Sequence, residues 1–198
     1  MTAVDDRARR GGGERRATGN HGSDAVKLPS PRRFGQAFAL LRVFMGLVFL
    51  LNGLAKLFEF HAVVIGPYVA NLIDRADTRF ILNIEANKNA QHPLPGIRPL
   101  VNHVFLAHFG FWQWAFTAAE LGMGTLLVLG LASRLGALLG VLQTGFLFSL
   151  YLSNDRWVFE QPLEVVPLLL LLWIPAGRVW GLDGSALLPA RLRARWPF

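Results

Sequence analysis

The chain is predicted to be an all-α, polytopic membrane four-helix bundle, and three observations carry that prediction. The 198 residues are 53% hydrophobic and only 17% charged, whereas soluble domains carry about 25% charged residues. Four long apolar stretches recur along the sequence, more than a chain of this size can cover with polar surface. Basic residues gather at both ends, the asymmetry that orients multi-pass proteins.

Residues 1–33 hold eight basic and four acidic side chains with almost nothing to bury, and are predicted to form a disordered, basic cytoplasmic tail. The segment is too long and polar for the n-region of a signal peptide, and no small-residue cleavage site follows the apolar run. The first helix is therefore expected to stay as an anchor. The basic run reads as a topology determinant, with binding of anionic headgroups as the alternative.

The membrane domain is predicted over 34–183, with helices at about 36–58, 104–131, 134–153 and 159–177. The windows 109–133 and 135–152 are the cleanest spans. The window 34–58 is interrupted by Arg42 and Lys56, and 158–177 contains Glu160 and Glu164. From Arg178 onward four arginines face Asp183 alone, while 59–108 is balanced at four basic and four acidic residues. Both termini are thus predicted cytoplasmic and 59–103 extracytoplasmic. Tyr151, Trp157, Trp112 and Trp114 then mark the outer interface, and Trp173, Trp180 and Trp196 the inner one.

Within the outer segment, 67–82 is predicted to be a helix lying in the interface, and 85–99 a polar, proline-bearing loop. The tail 184–198 reads as a basic amphipathic cytoplasmic segment. Asp183 is expected to cap the short helix that follows it, or else to pair with Arg134 or Arg178 in the cytoplasmic turn.

Glu120 is the only formal charge between 109 and 133, and a carboxylate at bilayer depth needs a partner or a task. Helical spacing places Arg42, Gly46, Phe49, Gly53 and Lys56 on one face, Thr117, Glu120 and Gly124 on another, and Gly136, Gly140 and Gln143 on a third. The glycines let helices approach closely. At ~1.5 Å of rise per residue, Glu120 and Glu164 lie ~18 Å from the inner boundary, Gln143 ~14 Å, Arg42 ~6 Å and Lys56 ~27 Å. These depths predict a midplane cluster of Glu120, Glu164 and Gln143, with Arg42 reaching toward Glu120 and Lys56 toward Glu164 or Glu160. Two roles stay open for the cluster: fixing helix register, or handling a ligand or proton.

The chain has no cysteine, so thiol catalysis and iron–sulfur ligation are excluded within it. His61, His92, His103 and His108 lack the i, i+3 or i, i+4 spacing of helical ligands, so no metal or haem is predicted. No phosphate-binding glycine loop or nucleophile elbow is present, and no nucleic-acid partner is expected.

Three segments resemble the DoxX family of small membrane proteins: LLRVFMGLVFLLNGLAKL, AAELGMGTLLVLGLASRLGALLG and GRVWGLDG. The long insertion after the first helix makes the chain most similar to the DoxD branch, the small subunit of thiosulfate:quinone oxidoreductase. The resemblance spans roughly residues 37–185 and matches at Arg42, Gly46, Gly53, Lys56, Glu120, Gly124, Gly130, Arg134, Gly177, Arg178 and Asp183. It implies a subunit of an oxidoreductase system in a bacterial or archaeal inner membrane. The implied cofactor is quinone, and the implied partners are the lipid bilayer, another membrane or peripheral redox subunit, and a second copy if the chain oligomerises.

Two functions follow as expectations. In the first, quinone binds between the helices, Glu120 or Glu164 handles protons, and Arg42, Lys56, Asn52 and Gln143 contact the head. In the second, the chain is a non-catalytic anchor whose outer segment and tails hold a partner enzyme. A small-solute transporter is a third, weaker reading, since four helices would need a dimer to form a pathway.

Overall fold

The computed structural model describes residues 30–88, 92–152, 159–160, 162–186, 188–193 and 195–198. These are mostly helical. Helix α1 (Pro31–Phe58) starts three residues before the predicted membrane domain and takes in Arg32 and Arg33. Pro31 explains the start, because its fixed φ suits the first turn, where no N–H is needed. The rest of the predicted basic tail, 1–29, lies outside the described residues. At the other end Glu59 turns left-handed (φ +58°) and donates its N–H to the Ala55 carbonyl, stopping the helix.

The outer segment departs from the single interfacial helix predicted over 67–82. Strands β1 (Ala62–Ile65) and β2 (Tyr68–Asn71) form an antiparallel hairpin in which Ile65 faces Tyr68. The run AVVIGPYVAN favours it. Val, Ile and Tyr suit strands, and Gly66 supplies the positive φ (+57°) of the tight turn, while the proline after it leaves only the II′ geometry. The helix proper is α2 (Arg75–Asn87), N-capped by Asp74, whose Oδ1 accepts from the Asp77 N–H at 2.8 Å. The predicted polar loop 85–99 also differs. Glu85 is buried within α2, and α3 (Ile97–Leu100) runs into a π-helical turn (Val101–Leu106). Residues 89–91 lie outside the described residues.

Three long helices complete the frame: α4 (Phe109–Leu129), α5 (Ser133–Tyr151) and α6 (Pro162–Trp173). The last is shorter than the predicted 159–177 because Pro175 disfavours helical backbone at Ile174 before it. Two 3-10 turns (Ala176–Arg178 and Leu182–Gly184) and the short helix α7 (Ala190–Arg193) follow. The turn around Asn154, with Trp157, lies outside the described residues, as does Leu187.

Among the described residues, two helices are long and apolar enough to cross a membrane, α1 and α5. The ranking of spans therefore changes for two helices. α4 reaches 21 residues, but Gln113, Glu120 and its tryptophans dilute its apolarity. α1 tolerates Arg42 and Lys56 because the rest of it is so rich in Leu, Val and Phe.

Glycines set the packing. A Cβ on Gly46 would lie 2.7 Å from the Val128 nitrogen, one on Gly53 2.9 Å from that of Leu121, and one on Gly124 2.5 Å from that of Leu50. These pairings descend along α4 as they ascend α1, so the two helices run antiparallel with backbones in contact. Gly136 sits against Leu126 and Leu127 while Gln143 meets Glu120, and Gly140 sits against Leu168 while Arg134 meets Trp173, so α4 and α5, and α5 and α6, are likewise antiparallel. The main core gathers Met45, Phe49, Met123, Leu127, Ala137, Leu168 and Leu171. A second cluster of Leu82, Ala86, Val101 and Leu150 fastens α2 and the π-turn onto α5.

Gly124→Leu should separate α1 from α4. A loss of about 3 kcal/mol is expected from overpacking, measured as a fall in the thermal midpoint of the purified protein. An unchanged midpoint would show that this close approach is not needed.

Candidate functional site

The packing of α1 on α4 brings Lys56 and Glu120 together. Both side chains are buried, and Lys56 Nζ lies 2.8 Å from Glu120 Oε2. The other carboxylate oxygen, Oε1, accepts from Gln143 Nε2 of α5 at 2.7 Å. Lys56 donates a second hydrogen bond to the Ile73 carbonyl (3.0 Å), and Asn52 Oδ1, one turn earlier on α1, accepts from the Ile73 N–H (3.0 Å). Asn52 Nδ2 donates back to Val48 of its own helix. The segment just before α2 is thus tied over the ion pair by both polar groups of one residue.

Lys56 and Glu120 differ in estimated depth by ~9 Å, yet they meet. A helical Cα–Cβ bond leans toward the N-terminus of its helix. On antiparallel helices Lys56 therefore leans down α1 while Glu120 leans up α4, and the two converge. The same vector sends Arg42 away from Glu120. The predicted Arg42–Glu120 contact does not form, and Arg42 Nη2 instead donates to the Trp180 carbonyl at 3.0 Å.

Glu164 is also absent from the cluster. It sits exposed in the first turn of α6, near Glu160 and away from Lys56. Its exposed place on α6, outside the packed faces of the helices, explains why equal depth did not produce contact.

A cavity of about 70 Å³ opens beside the ion pair. Phe116 of α4, Phe146 and Tyr151 of α5, and Thr78 and Leu82 of α2 line it with Lys56, Glu120 and Gln143. Lys56 carries three N–H donors, two of which are taken by Glu120 and Ile73. The aromatic lining was not predicted, although Gln143, Phe146 and Tyr151 share one helical face and so carried a usable signal. The contribution of α2 had no such signal, because it depends on how the outer segment folds back.

A second buried polar knot lies at the opposite end of the helices. Asp183 is fully buried and accepts from the Ala132 N–H (2.7 Å), the Ser133 N–H (3.1 Å) and the Ser133 hydroxyl (2.8 Å). The predicted cap of the following helix is therefore replaced by a cap on the N-terminus of α5. The physical reason is demand, since the first N–H groups of that helix are buried and need an acceptor. Ala132 itself is left-handed (φ +46°), and its bond to Asp183 holds that conformation.

Asp183 donates its own N–H to the Gly130 carbonyl (2.8 Å), and Gly177 donates to Ser133 Oγ (3.2 Å). Gly130 is left-handed (φ +62°) and a Cβ there would sit 2.8 Å from the Gly181 Cα, while one on Gly177 would overlap Asp183 Oδ2, so a side chain at either position would displace the knot. The expected pairing of Asp183 with Arg134 is also absent; Arg134 Nη2 donates to the Trp173 carbonyl at the end of α6 (2.7 Å). Arg178 lies in the 3-10 turn beside this knot.

No protein-family model, no curated protein and no solved structure matches the chain.

Proposed function

We propose that the chain is a multi-pass protein of the DoxX type. In this reading α1, α4, α5 and α6 cross the bilayer, both termini are cytoplasmic, and the Lys56–Glu120–Gln143 site receives the carbonyl head of an apolar small molecule, quinone being the class. The membrane reading is supported by an inverted distribution of side chains. Arg42, Lys56, Glu120 and Asp183 are buried, while Phe44 (59% exposed), Leu142 (61%), Leu163 (72%) and Trp173 (80%) face outward from the helices. Lipid explains that arrangement and water does not.

The observation that carries the ligand reading is the third Lys56 donor beside an aromatic-lined cavity. A quinone carbonyl would accept from Lys56 in a cavity that Phe116, Phe146, Glu120 and Gln143 help to line. Quinone reduction takes two electrons and two protons. The Lys56 ammonium, bonded to the carbonyl, would give up the first proton, Glu120 would pass protons from the aqueous face to replace it and to supply the second, and both electrons would come from a redox partner or a bound carrier. At about 70 Å³ the cavity is smaller than the ~150 Å³ that accepts a benzene ring, so a quinone head would enter only if the gap between α2 and α5 widened.

The test is purification into lipid nanodiscs, mass spectrometry of extracted lipids and titration with a short-tailed quinone. Wild type is expected to carry quinone and to bind the added analogue, with a tryptophan in place of Leu147, an α5 residue that also lines the cavity, filling it (Leu147→Trp) and abolishing both while the fold persists. Wild type that neither carries nor binds quinone would overturn the assignment. One observation favours the anchor reading as well: Val64, Ile65, Tyr68 and Val69 of the hairpin are all exposed. Loss of a co-purifying protein on deleting the hairpin, with no quinone present, would select that reading.

A further inference from the structure

A separate groove of about 950 Å³ runs between α2 and the start of α4. Arg75, Arg79 and Asn83 form one stripe of α2 along it, at i, i+4 and i+8, and Leu106, Phe109 and Gln113 form the facing wall.

The two arginines differ. Arg75 is held in place: it pairs with Glu59 at one end of the groove, and its guanidinium carbon lies 4.3 Å from the centre of the Trp114 ring. Its Nε is buried without a hydrogen-bond partner. Arg79 is exposed and has no hydrogen bond or ion pair among the described residues; its guanidinium lies 5.7 Å from the Phe109 ring centre. The groove is therefore cationic toward Arg79, with its one carboxylate, Glu59, engaged by Arg75 at the other end.

We propose that this groove seats the headgroup of an anionic phospholipid, with the phosphate at Arg79. Three features select a lipid. The guanidinium fork matches phosphate oxygens. The groove is far larger than a free phosphate needs. Its lining includes the exposed apolar side chain of Phe80, suited to an acyl chain. The inference rests on the membrane reading above, and places the groove at the outer interface beside Trp114.

The test is native mass spectrometry of the full chain released from nanodiscs containing phosphatidylglycerol or only phosphatidylcholine. Wild type is expected to retain one phosphatidylglycerol, with Arg79→Gln weakening retention about tenfold, the loss of one charge-assisted contact, and Arg79→Lys falling between. Both variants keep the basic N-terminal segment, so the difference isolates the groove. Equal retention in wild type and Arg79→Gln would overturn the proposal, as would equal retention of the two lipids. Inorganic phosphate that displaces the bound lipid and stabilises the protein as strongly would assign the site to free phosphate instead. Protein that stays dispersed without lipid or detergent would mark failure of the membrane reading, a result distinct from these.

Discussion

Lys56→Met is expected to destabilise the fold by about 3–5 kcal/mol, because removing one partner of a buried ion pair leaves the other charge uncompensated. Glu120 would keep only its bond from Gln143, and the Ile73 carbonyl would lose its donor. The double variant Lys56→Met/Glu120→Gln should recover more than half of the loss, since an amide bonded to Gln143 carries no charge to compensate. The measurement is unfolding of the single and double variants in the same detergent. Additive losses would refute direct coupling between the two side chains. Recovery would show that the two side chains are directly coupled, whatever else the pair binds.

Asp183→Ala is expected to cost as much, roughly 3–5 kcal/mol. It would strip the acceptor from two buried N–H groups of α5 and from the Ser133 hydroxyl, and remove the carboxylate whose field acts on buried Arg42. Asp183→Asn keeps an oxygen acceptor but not the charge and should fall between the two. Adding Arg42→Leu to Asp183→Ala should restore part of the stability, because no buried cation then remains at that end. Circular-dichroism melts of the four proteins check this order. An Asp183→Ala protein as stable as wild type would mean that water serves these donors equally well.

Much of the site was legible in residue spacing. Glu120 stood out as one charge in an apolar helix, and the 4-3-4-3 spacing of Arg42, Gly46, Phe49, Gly53 and Lys56 marked the face that meets α4. Close approach at Gly46, Gly53 and Gly124 follows from the same stripe. Which cation would meet Glu120 was not legible from depth, because depth locates a Cα but not the direction in which its side chain leans. That direction reversed the expectation for Arg42, and the exposed place of Glu164 on α6 removed it from the cluster.

The outer segment was the least legible part. A residue-by-residue reading favoured a helix from 67, but the Val–Ile run and Gly66 formed a hairpin, leaving α2 to begin at Arg75. Asp183 shows the same limit in another form. A local cap was the nearest explanation for an aspartate just before a short predicted helix, yet the unsatisfied N–H groups that claimed it lie some fifty positions earlier in the chain.

The sequence by itself determined the helical class, the apolar character, the glycine-lined contact faces and the identity of Glu120 as a residue needing partners, because composition and helical period act locally. Only the tertiary structure decided that those partners are Lys56, Gln143 and, through Lys56, the carbonyl of Ile73. It also decided that Arg42 belongs to a second knot near Asp183. The physical reason is that a buried charge takes whichever donor the packed helices aim at it, and aim depends on helix direction and crossing, which no single segment encodes.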